Sequence, residues 1–379
     1  QAATTAILSF LVFTFGSLLV AIQVASGQLT PRIIATTLLR DNVVRYTVGL
    51  FMFTFIFVQA AADRIDSKVH QLPLFVAAAL TLACFASFLY LIDYAARLLR
   101  PISILTRVGN EGLAVIKSVY PDPSLGPGFP KSQRRALALP ERVIQHQGTS
   151  AIVLAVNLEK LRSEAERSHG VIEFVPQVGD FVAVDEPLFN LYGGAHTVED
   201  DALRSAVVFG SERTMEQDPT FAFRIVIDIA LKALSPAIND PTTAVLAIDQ
   251  LHRLLRSVGT RHLRTDDIRN ISGQLRLIVR TPNWDDFVHM AFSEIRACGA
   301  NNLQIVRRLR AMIENLNETL PGHRQRELQV QSKLLDQEIE RLFRYPEEQM
   351  LARIADSQGL GGHSSKVKQA RKRAATRRA

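Results

Sequence analysis

Three apolar runs near the N-terminus, residues 6–24, 46–62 and 72–92, constrain this chain more than any other feature, because none contains a charged side chain. A bilayer core of roughly 30 Å takes about 20 apolar residues of helix, with a range of roughly 17–25, and each run falls inside it. A helix buried in a water-soluble core carries a polar stripe, whereas the second run offers only scattered Tyr46, Thr47, Thr54 and Gln59. Such groups find partners on the backbone or on neighbouring helices. The pattern predicts three transmembrane helices. We expect no cleaved leader, since no short apolar region with a basic start and a cleavage site stands ahead of a soluble domain. The chain opens at Gln1 and not at methionine, which leaves room for a further span upstream.

Arg32, Arg40, Arg45, Arg97, Arg100 and Arg107 flank the runs on one side, against Arg64 and Lys68 on the other. Short loops rich in Lys and Arg stay cytoplasmic, which places the large C-terminal part inside the cell. The net charge of +7 is concentrated at the end of the chain, where residues 366–379 hold seven basic side chains and no acid. Beside an anionic leaflet each of these contributes on the order of 1 kcal/mol, and the alternative is a solvated tail without a partner. Nothing points to a specific nucleic-acid partner. With only Cys84 and Cys298, a disulfide framework or a cysteine-rich zinc module is excluded.

Gln23, Ser26, Gly27 and Thr30 recur at helical spacing at the end of the first run, so one face is small and polar where the rest is greasy. Two readings stand side by side. Small residues let helix backbones approach while Gln23 hydrogen-bonds across, or the face lines a pore or vestibule. The Ala-rich third run (Ala77, Ala78, Ala79, Ala83, Ala86) supports close packing in either case. No acid, base or histidine lies within the runs, which argues against proton-coupled transport, since coupled transporters place ionisable groups at membrane depth. Asp93 pairs more simply with Arg97 one turn on.

Beyond residue 100 the pattern divides the chain into a linker helix and Pro/Gly loop (101–130), a small β module (131–195), a helical domain (196–344) and a disordered basic tail (345–379). Dense β-formers at 151–156, alternation at 171–175 and the turn before Phe181 predict strands, with a helix over 158–168 between them. Gly179-Asp180-Phe181-Val182 and Glu186-Pro187-Leu188-Phe189-Asn190-Leu191 are similar to a half-repeat of barrel-sandwich modules, without the Met-Lys-Met of biotin or lipoate carriers. The segment 219–234 predicts a core helix with Arg224, Asp228 and Lys232 as its charged stripe, and Asp240 reads as the cap of a helix opening at Pro241.

Asp266-Asp267 and Asp285-Asp286 each precede an apolar stretch and are expected to favour helix N-termini. The histidines show no ligand spacing, and no phosphate loop, nucleophile elbow or dinucleotide fingerprint is present, so no metal, cofactor or catalytic residue is expected. Leu303, Val306, Leu309, Ile313, Leu316 and Leu320 share one helical face and Leu328, Leu335, Ile339 and Leu342 another, which predicts a helical hairpin about Pro321-Gly322.

Gln23-Val24-Ala25-Ser26-Gly27-Gln28-Leu29-Thr30-Pro31-Arg32 resembles the hallmark of a bacterial group of predicted membrane proteins, domain of unknown function 2254. So does Gly210-Ser211-Glu212-Arg213-Thr214-Met215-Glu216-Gln217-Asp218, running on through Arg224 and Asp228 to Ala233-Leu234-Ser235-Pro236-Ala237-Ile238-Asn239-Asp240-Pro241. The resemblance implies a multi-pass inner (plasma) membrane protein, usually of four spans, and brings no catalytic assignment. The expected class is an α+β membrane protein: transmembrane helices, a cytoplasmic barrel-sandwich-like module and a cytoplasmic all-α domain. Its expected partners are the lipid bilayer and further copies of itself. The candidate sites are the face of Gln23, Ser26, Gly27 and Thr30, a pore or helix contact in an oligomeric channel-like or passive transport protein, and a polar network of Glu212, Arg213, Gln217, Asp218, Arg224, Asp228, Ser235, Asn239 and Asp240. The alternative is a membrane-anchored scaffold or sensor that binds a cytoplasmic partner.

Overall fold

The computed structural model describes residues 2–28, 42–63, 71–98, 100–124, 139–263 and 266–362. Two compact units divide the chain, one of Gln1–Arg107 with Lys232–Thr243 and one of Val108–Leu231 with Ala244–Ala379.

In the first unit the apolar runs form helices α1 (Ala2–Gln28), α2 (Asn42–Ala62) and α3 (Gln71–Leu98). Among the described residues two helices are long and apolar enough to cross a membrane, Asn42–Ala62 and Gln71–Arg97, while the qualifying stretch of α1 is the shorter Thr4–Ser17. They meet along a thin seam of Ile7, Phe51, Val58 and Cys84, with Phe10 stacked on Phe88 at 5.0 Å. Hydroxyls settle on their own backbone: Thr54 donates to the Leu50 carbonyl at 2.8 Å and Thr81 to that of Ala77 at 2.7 Å. The outward faces are the reverse of a water-soluble helix, with Leu19, Phe53, Ile56, Phe75 and Leu82 between 58% and 73% exposed. A soluble monomer rarely shows apolar surface on this scale.

Helix α4 (Pro101–Val119) leads on to the second unit, where β1 (Arg142–Gln145), β2 (Ala151–Val156), α5 (Leu158–Arg167), β3 (Gly170–Phe174), β4 (Phe181–Val182) and β5 (Pro187–Gly193) follow the expected β pattern closely. The alternation at 171–174 is realised as alternating burial along β3, which places Ile172 and Phe174 in the core. After β5 come a short helix α6 (Asp200–Arg204), β6 (Val207–Gly210), α7 (Pro219–Leu234) and α8 (Pro241–Gly259). Then β7 (Asp267–Arg269) and β8 (Leu275–Val279) complete the strands. Two open sheets result, ordered β1-β5-β3-β8-β7 and β4-β2-β6, and neither closes into a barrel. Within the larger sheet β8 runs parallel to β3, with Phe174 opposite Val279.

The strands beyond residue 196 correct the expectation of helix there. Asp266-Asp267 opens a hairpin, in which the Asn270 side chain accepts from the Gln274 amide at 2.9 Å and Gly273 takes φ +76°. The Asp266 carboxylate accepts from the Thr281 amide instead of capping a helix. Asn270 and Gly273 supply the turn, and β-branched residues on both sides favour strands.

The remaining helices are α9 (Trp284–Gly299), α10 (Leu303–Thr319), α11 (Gln325–Leu342) and α12 (Pro346–Ala352). Helix α9 starts with the expected cap: Asn283 accepts from the Asp285 and Asp286 amides, and the Asp286 carboxylate accepts in return from the Asn283 amide. Helices α10 and α11 form the expected hairpin. Residues 346–362, read from sequence as the start of the tail, contain α12 and then a strap over α10. Arg307, fully buried, donates to the Ile354, Gly361 and Gly362 carbonyls at 3.0–3.2 Å. Thr30 and the basic stretch 366–379 lie outside the described residues.

Candidate functional site

The signature segment occupies three places. The first is the N-terminus of α7, where Asp218 is 3% exposed and accepts from Arg213 Nε, Thr220 Oγ1 and the Phe221 amide, the last at 3.2 Å. Asp218 is thus both helix cap and counter-ion. Arg213 also donates to Thr220 Oγ1 at 2.9 Å and lies over the Phe221 ring at 5.6 Å. Its guanidinium rests against Gly179, which has φ +94°; a Cβ there would fall 2.4 Å from Nη2. Gly179 belongs to the turn before β4, so the motif and the β module interlock through one missing side chain. Gln217 binds the same module, accepting from the Val156 amide at the end of β2 at 3.0 Å. Glu212 is exposed.

The second place is the flank of α7. Arg224 donates to Asp228 at 2.7 Å, as the charged stripe predicts, and to Glu294 on α9 at 3.1 Å, while Lys232 makes no ion pair with Asp228 among the described residues. The hydrogen bond Arg224 donates to Glu294 raises its pKa most, burial opposes this, and the bond it donates to Asp228 raises it further. The third is the turn between α7 and α8. Ser235 accepts the Asn239 amide at 2.8 Å, Asn239 takes the left-handed φ of +49°, and Asp240 caps α8 through the Thr243 amide at 3.1 Å. Ser235, Asn239 and Asp240 belong to the first unit, the other signature residues to the second. The structure therefore divides the expected network into two clusters and a turn.

Beside the first cluster lies a cleft of about 550 Å³ in the second unit. Its wall gathers the ends of three strands: Val156 closing β2, Gln177 three residues after β3, and Arg280 directly after β8. Parallel pairing of β3 with β8 puts the last two at one edge. Asn157, Gln217 and Asp218 also line it. Asn157 caps α5 by accepting from the Lys160 amide at 3.0 Å, which leaves its side-chain NH2 unused. Arg280 is exposed and makes no hydrogen bond or ion pair among the described residues. Sequence reading found Gln217 and Asp218 but missed Asn157, Gln177 and Arg280; the signal lies in polar residues within three positions of the end of a β run.

On the membrane face, Gln23 is exposed on α1, and Ser26 and Gly27 lie in the last turn of the same helix. No group of three or more His, Cys, Asp or Glu side chains fit to hold a metal occurs among the described residues.

Comparison with known proteins adds the following. The model of the family described as "Predicted membrane protein (DUF2254)" matches residues 1–315. Uncharacterized proteins of Mycobacterium bovis and Mycobacterium tuberculosis are 25% identical over 304 residues, covering 76% of this chain and 57% of theirs. The chain thus spans little more than half the length of these relatives. No solved structure matches it.

Proposed function

Because the chain belongs to the family of predicted membrane proteins termed DUF2254, we propose that it is a multi-pass inner-membrane protein whose copies assemble into a channel-like or passive transport unit, with the β and helical parts on the cytoplasmic side. The observation that carries this reading is the exposure of Gln23 on an otherwise greasy helix. An amide facing hydrocarbon without a partner is costly, and a second copy or a wetted lumen relieves it. The spans contain no ionisable group at depth, which suits gating by hydroxyl-lined or dewetting constrictions. Arginine-rich loop ends support the cytoplasmic placement.

Reconstitution with single-channel recording tests it. Conductance that Gln23→Leu alters supports the reading; silence under voltage and tension, with a monomeric protein, removes it. The second reading, a membrane-anchored scaffold or sensor, draws on the cleft in the second unit and the polar side chains that line it.

A further inference from the structure

We infer that the cleft at the ends of β2, β3 and β8 binds a small phosphate ester with a hydrogen-bonding head, of nucleoside monophosphate size. This goes beyond the membrane reading and stands whether or not the protein conducts.

Size comes first. About 550 Å³ lies within the range of small-molecule sites, roughly 300–1,000 Å³, and is generous for a single ion. Charge comes second. The carboxylate of Asp218 is consumed by Arg213, and Glu159 at the rim is paired with Arg162 at 2.7 Å. Lys160 is committed to Ser205 Oγ at 2.8 Å. Arg280 is left as the uncommitted charge, and a guanidinium offers a planar fork to an oxyanion. The third element is donor number. The side-chain NH2 groups of Asn157 and Gln217 are both unspent among the described residues, because each side chain bonds there through its oxygen. The Leu158 and Glu159 amides of the first turn of α5 also have no acceptor among the described residues, since the Asn157 cap reaches only those further in. So many donors lining one cleft suit the three oxygens of a phosphate better than a carboxylate.

Gln177 shares the strand-end edge with Arg280, and its side-chain amide has no partner among the described residues. A primary amide offers a donor beside an acceptor, the pairing that reads the edge of a planar heterocycle. Val178 and Pro282 supply apolar surface for such a head. The location also follows the general tendency of ligands to sit at the carboxyl ends of parallel strands.

The test is calorimetry on the full chain in nanodiscs of neutral phosphatidylcholine, with adenosine monophosphate, inorganic phosphate and adenosine as separate probes. We expect saturable binding of the monophosphate, weaker binding of phosphate or adenosine alone, and a loss of about 10- to 100-fold in Arg280→Gln, the range for removing a charged hydrogen bond. Arg280 is exposed and unpaired among the described residues, so this variant is expected to keep its fold, and an unchanged melting profile checks that. Ser118→Tyr, at an exposed position on the rim, is expected to block the monophosphate by bulk alone. Absence of monophosphate binding to the unaltered protein overturns the inference. So does binding that both variants leave intact. Phosphate binding as tight as the monophosphate overturns the head-group part and reduces the site to a bare oxyanion site.

Discussion

Replacing Asp218 separates two roles that the structure gives one carboxylate. Asp218→Asn keeps an oxygen for the Phe221 amide and for Thr220, so the cap on α7 survives while the charge opposite Arg213 is lost. Arg213 is about one-third exposed, and water recovers part of the lost interaction. A charged hydrogen bond discounted in this way leaves a cost of about 2 kcal/mol. Asp218→Ala loses the cap as well, which adds about 1 kcal/mol. The chain has one tryptophan, Trp284, buried in the same unit with its indole N–H donating to the Arg324 carbonyl at 2.9 Å, and its fluorescence reports unfolding there. Urea titration of the full chain in detergent is expected to rank wild type above Asn above Ala. An Asn variant as stable as wild type would refute the ion pair, and an Ala variant equal to Asn would refute the cap.

Three further outcomes follow from single contacts. Gly179→Ala meets both an unfavourable φ and the Arg213 guanidinium, so a loss of about 1–2 kcal/mol is expected in the same titration, and an unperturbed midpoint contradicts the interlock. His252 donates from Nε2 to Asn315 Oδ1 at 2.8 Å, while burial, only partly offset by that bond, holds its pKa below the usual histidine value. The unfolded chain therefore takes up a proton that the folded chain refuses. Stability is expected to fall as pH drops below about 6.5 toward the lowered folded value, and His252→Gln should flatten that slope. Arg307→Met strips donors from three carbonyls of the strap, so trypsin cleavage after Arg353 is expected to rise about tenfold, the equivalent of roughly 1.4 kcal/mol of local stability.

Legibility differed along the chain for physical reasons. The apolar runs were readable from their length and lack of charge, and the strands at 151–156 and 171–174 and the hairpin of α10 and α11 because burial imposes a period on the residues themselves. The doublet at 285–286 and the doublet at 266–267 look alike, yet only the first caps a helix. What separates them lies downstream, a continuing apolar helix in one case and the Asn270–Gly273 turn in the other. The strap was missed because Arg307 holds it by its carbonyls, and a carbonyl has no sequence signature. At the signature segment, composition identified polar residues but not their separation: Asn239 serves a left-handed turn, whereas Asp218 anchors a helix beside a cleft. The cleft is assembled from strand ends far apart in sequence, joined by a parallel pairing that the pattern alone does not dictate.

The account depends most on the outward-facing surface of α1, α2 and α3 meeting lipid. Flotation of native membranes on a density gradient after alkaline carbonate treatment tests this directly. Carbonate strips proteins held by charge or by partner contacts, and leaves those inserted through apolar helices. The chain is expected to rise with the lipid; recovery in the dense, lipid-free fraction would contradict the account.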